Sequence, residues 1–193
     1  LLQHDCPGVP CVVFADVQGG QLATQHLLDF GHRRIGLIKG RPPGAARAGE
    51  RLIGYHQALK ADGIEPDPAL VIESDTTQNA GYRAMQGLLA LPEPPTAVFC
   101  HNDVIAAGAM HAIRVAGLSI PDDISIVGYD DIAGSAHLAP PLTTIGFSRK
   151  ELGRQSATTL FQAIEQDRDL ASHTKVPVEL VVRASTGPPP SVR

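Results

Sequence analysis

The chain has 193 residues, is 43% hydrophobic and lacks Trp, so it can bury a sizeable core as one domain or as one domain plus part of another. Lys and Arg number 16 against 20 Asp and Glu, a formal net charge of −4, and no basic stripe is long enough to follow a phosphate backbone, so this stretch is not expected to bind nucleic acid by itself. No apolar run reaches membrane-spanning length and no signal-like segment is found, which argues against a membrane protein.

In chain order, Val9 to Ala15 is a buried-strand pattern ending at Asp16, followed by the Gly19-Gly20 pair and a helical stretch from Gln21 to Phe30. Ile35 to Ile38 is the next strand. Residues 39–49 form a Gly/Pro-rich loop, which opens a helix from Glu50 to about Asp62 that carries Arg51 and Tyr55 and stops at Gly63. Leu70 to Ile72 is a strand, Ser74 to Asn79 a polar loop, and Ala80 to Leu91 a helix. Ala97 to Cys100 is a short, continuous apolar run that stops at His101-Asn102-Asp103, with Asp103 the expected N-cap of a helix from Val104 to Ala116. Gly117 and Pro121 end that helix, Ile124 to Val127 is another buried strand, and Gly128-Tyr129-Asp130-Asp131 is its polar turn. Ala139 to Phe147 is extended, Ser148 caps a helix from Arg149 to about Gln166, and 167–175 are loop-like. Val176 to Arg183 gives a last strand near a sheet edge, and the Pro-rich tail 187–193 is expected to be disordered.

Strand and helix alternate, which specifies an α/β fold with a doubly wound parallel sheet, helices on both faces and right-handed crossovers. Ligands of such sheets bind outside the carboxyl ends of the strands, so Asn102 and Asp130 are expected to project towards one cleft. An amide that donates and accepts beside a carboxylate that only accepts suits sugar hydroxyls or a purine edge. On spacing alone, the same residues also read as a helix cap and a solvated turn. Arg51, on the first turn of its helix, can reach the cleft, although by position alone a surface arginine is the simpler reading.

No constellation for catalysis is present. The loop at 39–49 lacks the Lys-Ser/Thr of a P-loop, Gly19-Gly20 lacks dinucleotide spacing, and Gly134-Ser135-Ala136-His137 lacks the second Gly of a nucleophile elbow. His4, Cys6 and Cys11 lack a second metal-ligand pair, so neither a metal nor a cofactor is expected. An odd count of cysteines (Cys6, Cys11, Cys100), one of them in a core strand, fits a reducing cytoplasm.

Taken together, VPCVVFADVQGGQLATQHLLDFGHRRIGLIKG, Arg51-Leu52-Ile53-Gly54-Tyr55, PTAVFCHND, GLSIPDDISIVGYDDI and APPLTTI resemble the effector-binding domain of the LacI/GalR family of bacterial transcriptional regulators. The resemblance runs from about Val9 to Thr186. It implies a type I periplasmic-binding-protein-like sensor of two lobes, joined in the family to a helix-turn-helix and a hinge helix, of which this chain holds mainly the carboxyl-terminal lobe. By that likeness, 17–141 and 176–186 form the carboxyl-terminal lobe, while 9–16 and 142–166 are a remnant of the other.

The resemblance also places Arg51, Asn102 and Asp130, and more weakly Asp16, at positions that hold a small polar effector, a sugar or related metabolite. Where the family often has an aromatic before the Gly81 helix, this chain has Asp75-Thr76-Thr77. Removing Arg51 or Asp130 is expected to abolish effector response with the fold intact. The apolar helix Val104–Ala116, with Ala107 and Met110 and the nearby Leu138, is expected to cover its second face in a homodimer. Operator DNA would be reached only through an amino-terminal domain outside this sequence. The alternative is an exported sugar-binding protein of a transport system with the same fold; the sequence upstream of Leu1 decides between them.

Overall fold

The computed structural model describes residues 11–40, 49–166 and 173–190. The expected start of the first strand at Val9, most of the Gly/Pro-rich loop, His4, Cys6, the polar loop at 167–172 and the end of the tail lie outside them. Strands and helices follow as β1 (Cys11–Phe14), α1 (Asp16–Asp29), β2 (Ile35–Gly40), α2 (Glu50–Ala61), β3 (Val71–Ser74), α3 (Gln78–Leu89), β4 (Ala97–Cys100), α4 (Asp103–Val115), β5 (Ser125–Tyr129), β6 (Thr143–Phe147), α5 (Arg149–Gln166), β7 (His173–Val176) and β8 (Val178–Val181).

The main sheet has the order β3-β2-β4-β5-β6-β8, parallel throughout except for β8, which runs antiparallel to β6. The central strands β4 and β5 are buried along their whole length because both faces are covered, whereas the edge strands β3 and β8 carry Glu73 and Glu179. Ala97 and Phe99 of β4 pack with Leu27 of α1 and Tyr55 of α2, whereas Val98 and Cys100 pack with Met85 of α3 and Ile105 of α4. A separate pair, β1 and β7, is parallel and packs on α5. The chain crosses between the two sheets at Ala15, Ser148 and Pro177, where Phe14 and Phe147 stack with ring centroids 3.9 Å apart.

The two sheets do not divide the chain at the residues expected to separate the lobes. Residues 142–147, expected with the amino-terminal remnant, instead supply β6, hydrogen-bonded between β5 and β8. The single last strand is two, because Pro177 cannot donate to a ladder: Val176 pairs with Phe14 in the small sheet and Val178 with Phe147 in the large one. The tail is also anchored further than expected. The Gly187 amide donates to Ser125 Oγ at 3.1 Å, and its carbonyl lies 2.9 Å from Nε2 of the fully buried His32, a contact that needs the proton on that nitrogen.

α1 starts at Asp16 rather than Gln21 and includes Gly19 and Gly20, which were expected to precede the helix. Close packing against α2 explains it. A side chain at Gly20 would run into the Arg51 backbone, and one at Gly54 into the Val17 carbonyl. That contact outweighs the helix penalty of about 1 kcal/mol per glycine. α4 is capped by Asn102, whose Oδ1 accepts from the Ile105 amide at 2.8 Å, and not by Asp103. Met110, expected at a dimer interface, is only 1% exposed within the core and so offers almost no surface to a second subunit; the small-residue face at Gly108 is taken by α3, where a side chain would meet the Gln78 carbonyl. Ala107 and Leu138 remain partly accessible, beside the exposed Val104 and Val115.

Candidate functional site

The carboxyl ends of β2, β4 and β5 meet the first turns of α1 and α2, and Arg51 fills the middle. It is buried, held in place because its backbone presses on Gly20. Its Nε donates to Asp16 Oδ1 at 2.9 Å, Nη1 donates to the His101 carbonyl, and the guanidinium lies 3.5 Å above the Tyr129 ring centroid. Nη2 stands 3.9 Å from Asp130 Oδ1, too far for a direct hydrogen bond, so both groups keep bonding capacity for a third party. Three of the four expected site residues, Asp16, Arg51 and Asp130, thus belong to one network.

Asn102 lies at the start of α4, next to the His101 carbonyl that Arg51 grips. Capping occupies its Oδ1 and leaves the amide NH2 as its remaining donor. Sequence sets capping and ligand contact against each other, yet the two uses fall on different atoms of one side chain.

Residues that the sequence did not single out complete the site. Tyr129 is the platform under Arg51, and a Tyr between Gly128 and Asp130 was the available signal. Asp103 is 1% exposed and accepts from Ser135 Oγ at 2.5 Å, Thr144 Oγ1 at 2.6 Å and the Ile132 amide at 2.9 Å. Arg149 Nη2 donates to the carbonyls of Asp130 and Asp131, each at 3.0 Å, and Arg183 donates to Asp131 Oδ1 at 2.6 Å. No local pattern links Asp103 to Thr144 or Asp131 to Arg183; only the fold brings them together.

Burial disfavours the ionised form of Asp130 and, with Asp103 and Asp16 nearby, pushes its carboxyl up to about 6 despite Arg51 and Arg149. For Arg51 burial opposes the charge, but Asp16, Tyr129 and Asp130 outweigh it and hold the guanidinium above its ordinary value. Burial, with the cations Arg51 and Lys39, pushes His101 down to about 3, so it is a neutral wall residue. The arrangement offers a carboxylate acceptor, an amide donor and a guanidinium edge. Ser135 Oγ, in the motif tested for a nucleophile, is spent on Asp103. Among the described residues, no group of three or more His, Cys, Asp or Glu could hold a metal ion, and no helix is long and apolar enough to cross a membrane.

This geometry has relatives. Residues 24–186 match the family model described as a periplasmic binding protein-like domain. The chain is 43% identical over 164 residues to the HTH-type transcriptional repressor CytR of Escherichia coli K12, covering 85% of this chain and 48% of that protein. It is 42% identical over 168 residues to the repressor PurR of Pasteurella multocida, covering 87% and 50%. A LacI family transcriptional regulator from Enterococcus faecium with bound ribose superposes with a TM-score of 0.83 at 32% identity, covering 95% of this chain and 68% of that one. The chain belongs to the LacI family, within its periplasmic-binding-protein-like domain.

It spans about half the length of the curated relatives it matches. A dimeric Lac repressor with a C-terminal deletion gives a TM-score of 0.87 at 35% identity, covering 97% and 68%. A complex of the transcriptional regulator CelR with cellobiose gives 0.86 at 36%, covering 93% and 54%. These relatives are regulators and not enzymes.

Proposed function

We propose that this chain is the effector-sensing part of a cytoplasmic LacI-type regulator. Its cleft at the ends of β2, β4 and β5 binds an uncharged, hydroxylated small molecule, a sugar or related metabolite, and controls operator binding by an attached helix-turn-helix domain. One observation carries the reading. The cation at the centre, Arg51, is already balanced by Asp16 and faces Asp130, so an acidic effector would meet two carboxylates around a guanidinium that is already paired, whereas hydroxyls could accept from Arg51 and Asn102 and donate to Asp130. Bound ribose and cellobiose in the similar regulators support this chemistry. The repressor relatives favour it over an exported transport component.

The same reading includes a homodimer, in which the outer side of α4 around Ala107, with Leu138, meets its copy; the dimeric Lac repressor supports it. Dimer symmetry suits a palindromic operator. Fluorescence anisotropy of operator DNA with the intact regulator tests the proposal. A neutral sugar should change operator affinity in the wild type and leave Asp130→Ala unresponsive. Operator binding indifferent to every sugar, polyol and nucleobase tried would reject it.

A further inference from the structure

The turn that carries Asp130 is built in a conformation that L side chains rarely adopt, with φ of 101° at Asp130 and 46° at Asp131. Such a turn persists only where its surroundings over-determine it. The Asp130 amide is tied to the Ile145 carbonyl, and a buried carboxylate ties the residues that follow. Asp103 Oδ2 receives the Ile132 amide, one residue past the turn, and the hydroxyl of Ser135, three residues further, while Oδ1 receives Thr144 from the neighbouring β6. The turn is therefore tied at once to the start of α4 and to the sheet. Space for the carboxylate is reserved as well: at Gly128, on β5, a side chain would collide with Asp103 Oδ1. Asp103 itself lies buried beneath the cleft, out of an effector's reach.

We propose that Asp103 is the positioning residue for Asp130, its carboxylate fixing the left-handed turn so that the Asp130 side chain enters the cleft in one orientation. The inference rests on the reading that Asp130 holds the effector, and extends it to a residue that touches none. An immobile acceptor avoids the ordering cost that a free carboxylate would lose on binding, so effector affinity depends on a group beneath the pocket. Arg149 and Arg183 hold the same turn from the crossing after β6 and from beyond β8, but at its rim, whereas Asp103 holds it from the core.

Two readouts test this. Hydrogen exchange on the wild type, Asp103→Asn, Thr144→Val and Thr144→Ser needs no effector. Asp103→Asn and Thr144→Val should speed exchange at the Ile132 amide and its turn at least tenfold, with the β4 and α1 amides as in the wild type, and Thr144→Ser should restore protection. Unchanged exchange at Ile132, or an equal rise across the whole chain, would overturn the proposal. Calorimetry of the intact regulator with D-ribose and cellobiose supplies the second. Asp103→Asn should weaken whichever sugar binds by tenfold or more, approaching the loss in Asp130→Ala. Full affinity in Asp103→Asn alongside a loss in Asp130→Ala would also overturn it. If Asp130→Ala leaves sugar affinity intact, or neither sugar binds, the effector reading fails for those sugars, and the exchange data still decide whether Asp103 fixes the turn.

Discussion

Arg51→Met should cost far more stability than a surface arginine would. In the folded chain the guanidinium neutralises Asp16, which is 4% exposed and accepts its Nε at 2.9 Å, and it also satisfies the His101 carbonyl. Methionine keeps most of the volume over Tyr129 but leaves a buried carboxylate without a counterion and a buried carbonyl without its donor. Breaking a buried pair from one side costs about 3–5 kcal/mol, against a total stability of about 5–15 kcal/mol for an ordinary domain. The sequence suggested that Arg51 could be removed with the fold intact; its burial between two acidic groups revises that. Guanidinium unfolding of the wild type, Arg51→Met, Asp16→Asn and the double variant closes a double-mutant cycle. The double variant should recover much of the loss, because no buried charge is then stranded. A loss below about 1 kcal/mol in Arg51→Met, or strictly additive single effects, would refute the view of Arg51 as the paired centre of the site.

Because Asp130 is pushed up to about 6 in the empty site, hydroxyl binding that needs the carboxylate should release a proton below that pH. Effector affinity should be level above pH 7 and fall towards about tenfold per pH unit below 6, with Asp130→Asn flat in a calorimetric pH series. His101, down to about 3 when folded against an ordinary 6.5, contributes stability that is complete above 6.5 and lost as pH falls towards 3. Between pH 6 and 4 that group alone should remove about 2.5 kcal/mol, and His101→Gln should lessen the loss of unfolding free energy over that interval by about the same amount in denaturant titrations. On the proposed homodimer, Ala107→Asp should give monomers in light scattering of the intact regulator over a dilution series, while a change at the buried Met110 should alter stability and leave assembly alone.

Much of the fold was legible because parallel strands covered on both faces leave continuous apolar runs, and Gly31, Gly63 and Gly117, all at positive φ, end the helices they follow. The misreadings share one cause. Gly19-Gly20 reads as lying outside α1 because glycine is a poor helix former, yet here Gly20 serves the close approach of α1 to α2, which no window of sequence contains. Asp103 was assigned to a cap by its residue type, but the preceding Asn102 took the cap and freed Asp103 for partners 29 to 41 residues away. Met110 lies on the apolar side of α4 that the sheet and α3 cover, and one helix cannot say which neighbour buries which face. The placement of Asn102 and Asp130 at the strand ends was legible from topology, whereas the pairing of Arg51 with Asp16 was not, since those residues lie 35 apart.

Calorimetry of the intact regulator with matched uncharged and acidic ligands, D-ribose against D-ribose 5-phosphate and cellobiose against cellobiuronic acid, tests the central claim most directly. Binding should be confined to the neutral member of a pair and be lost in Asp130→Ala. Tighter binding of the acidic member, or neutral-sugar binding that survives Asp130→Ala, would contradict it.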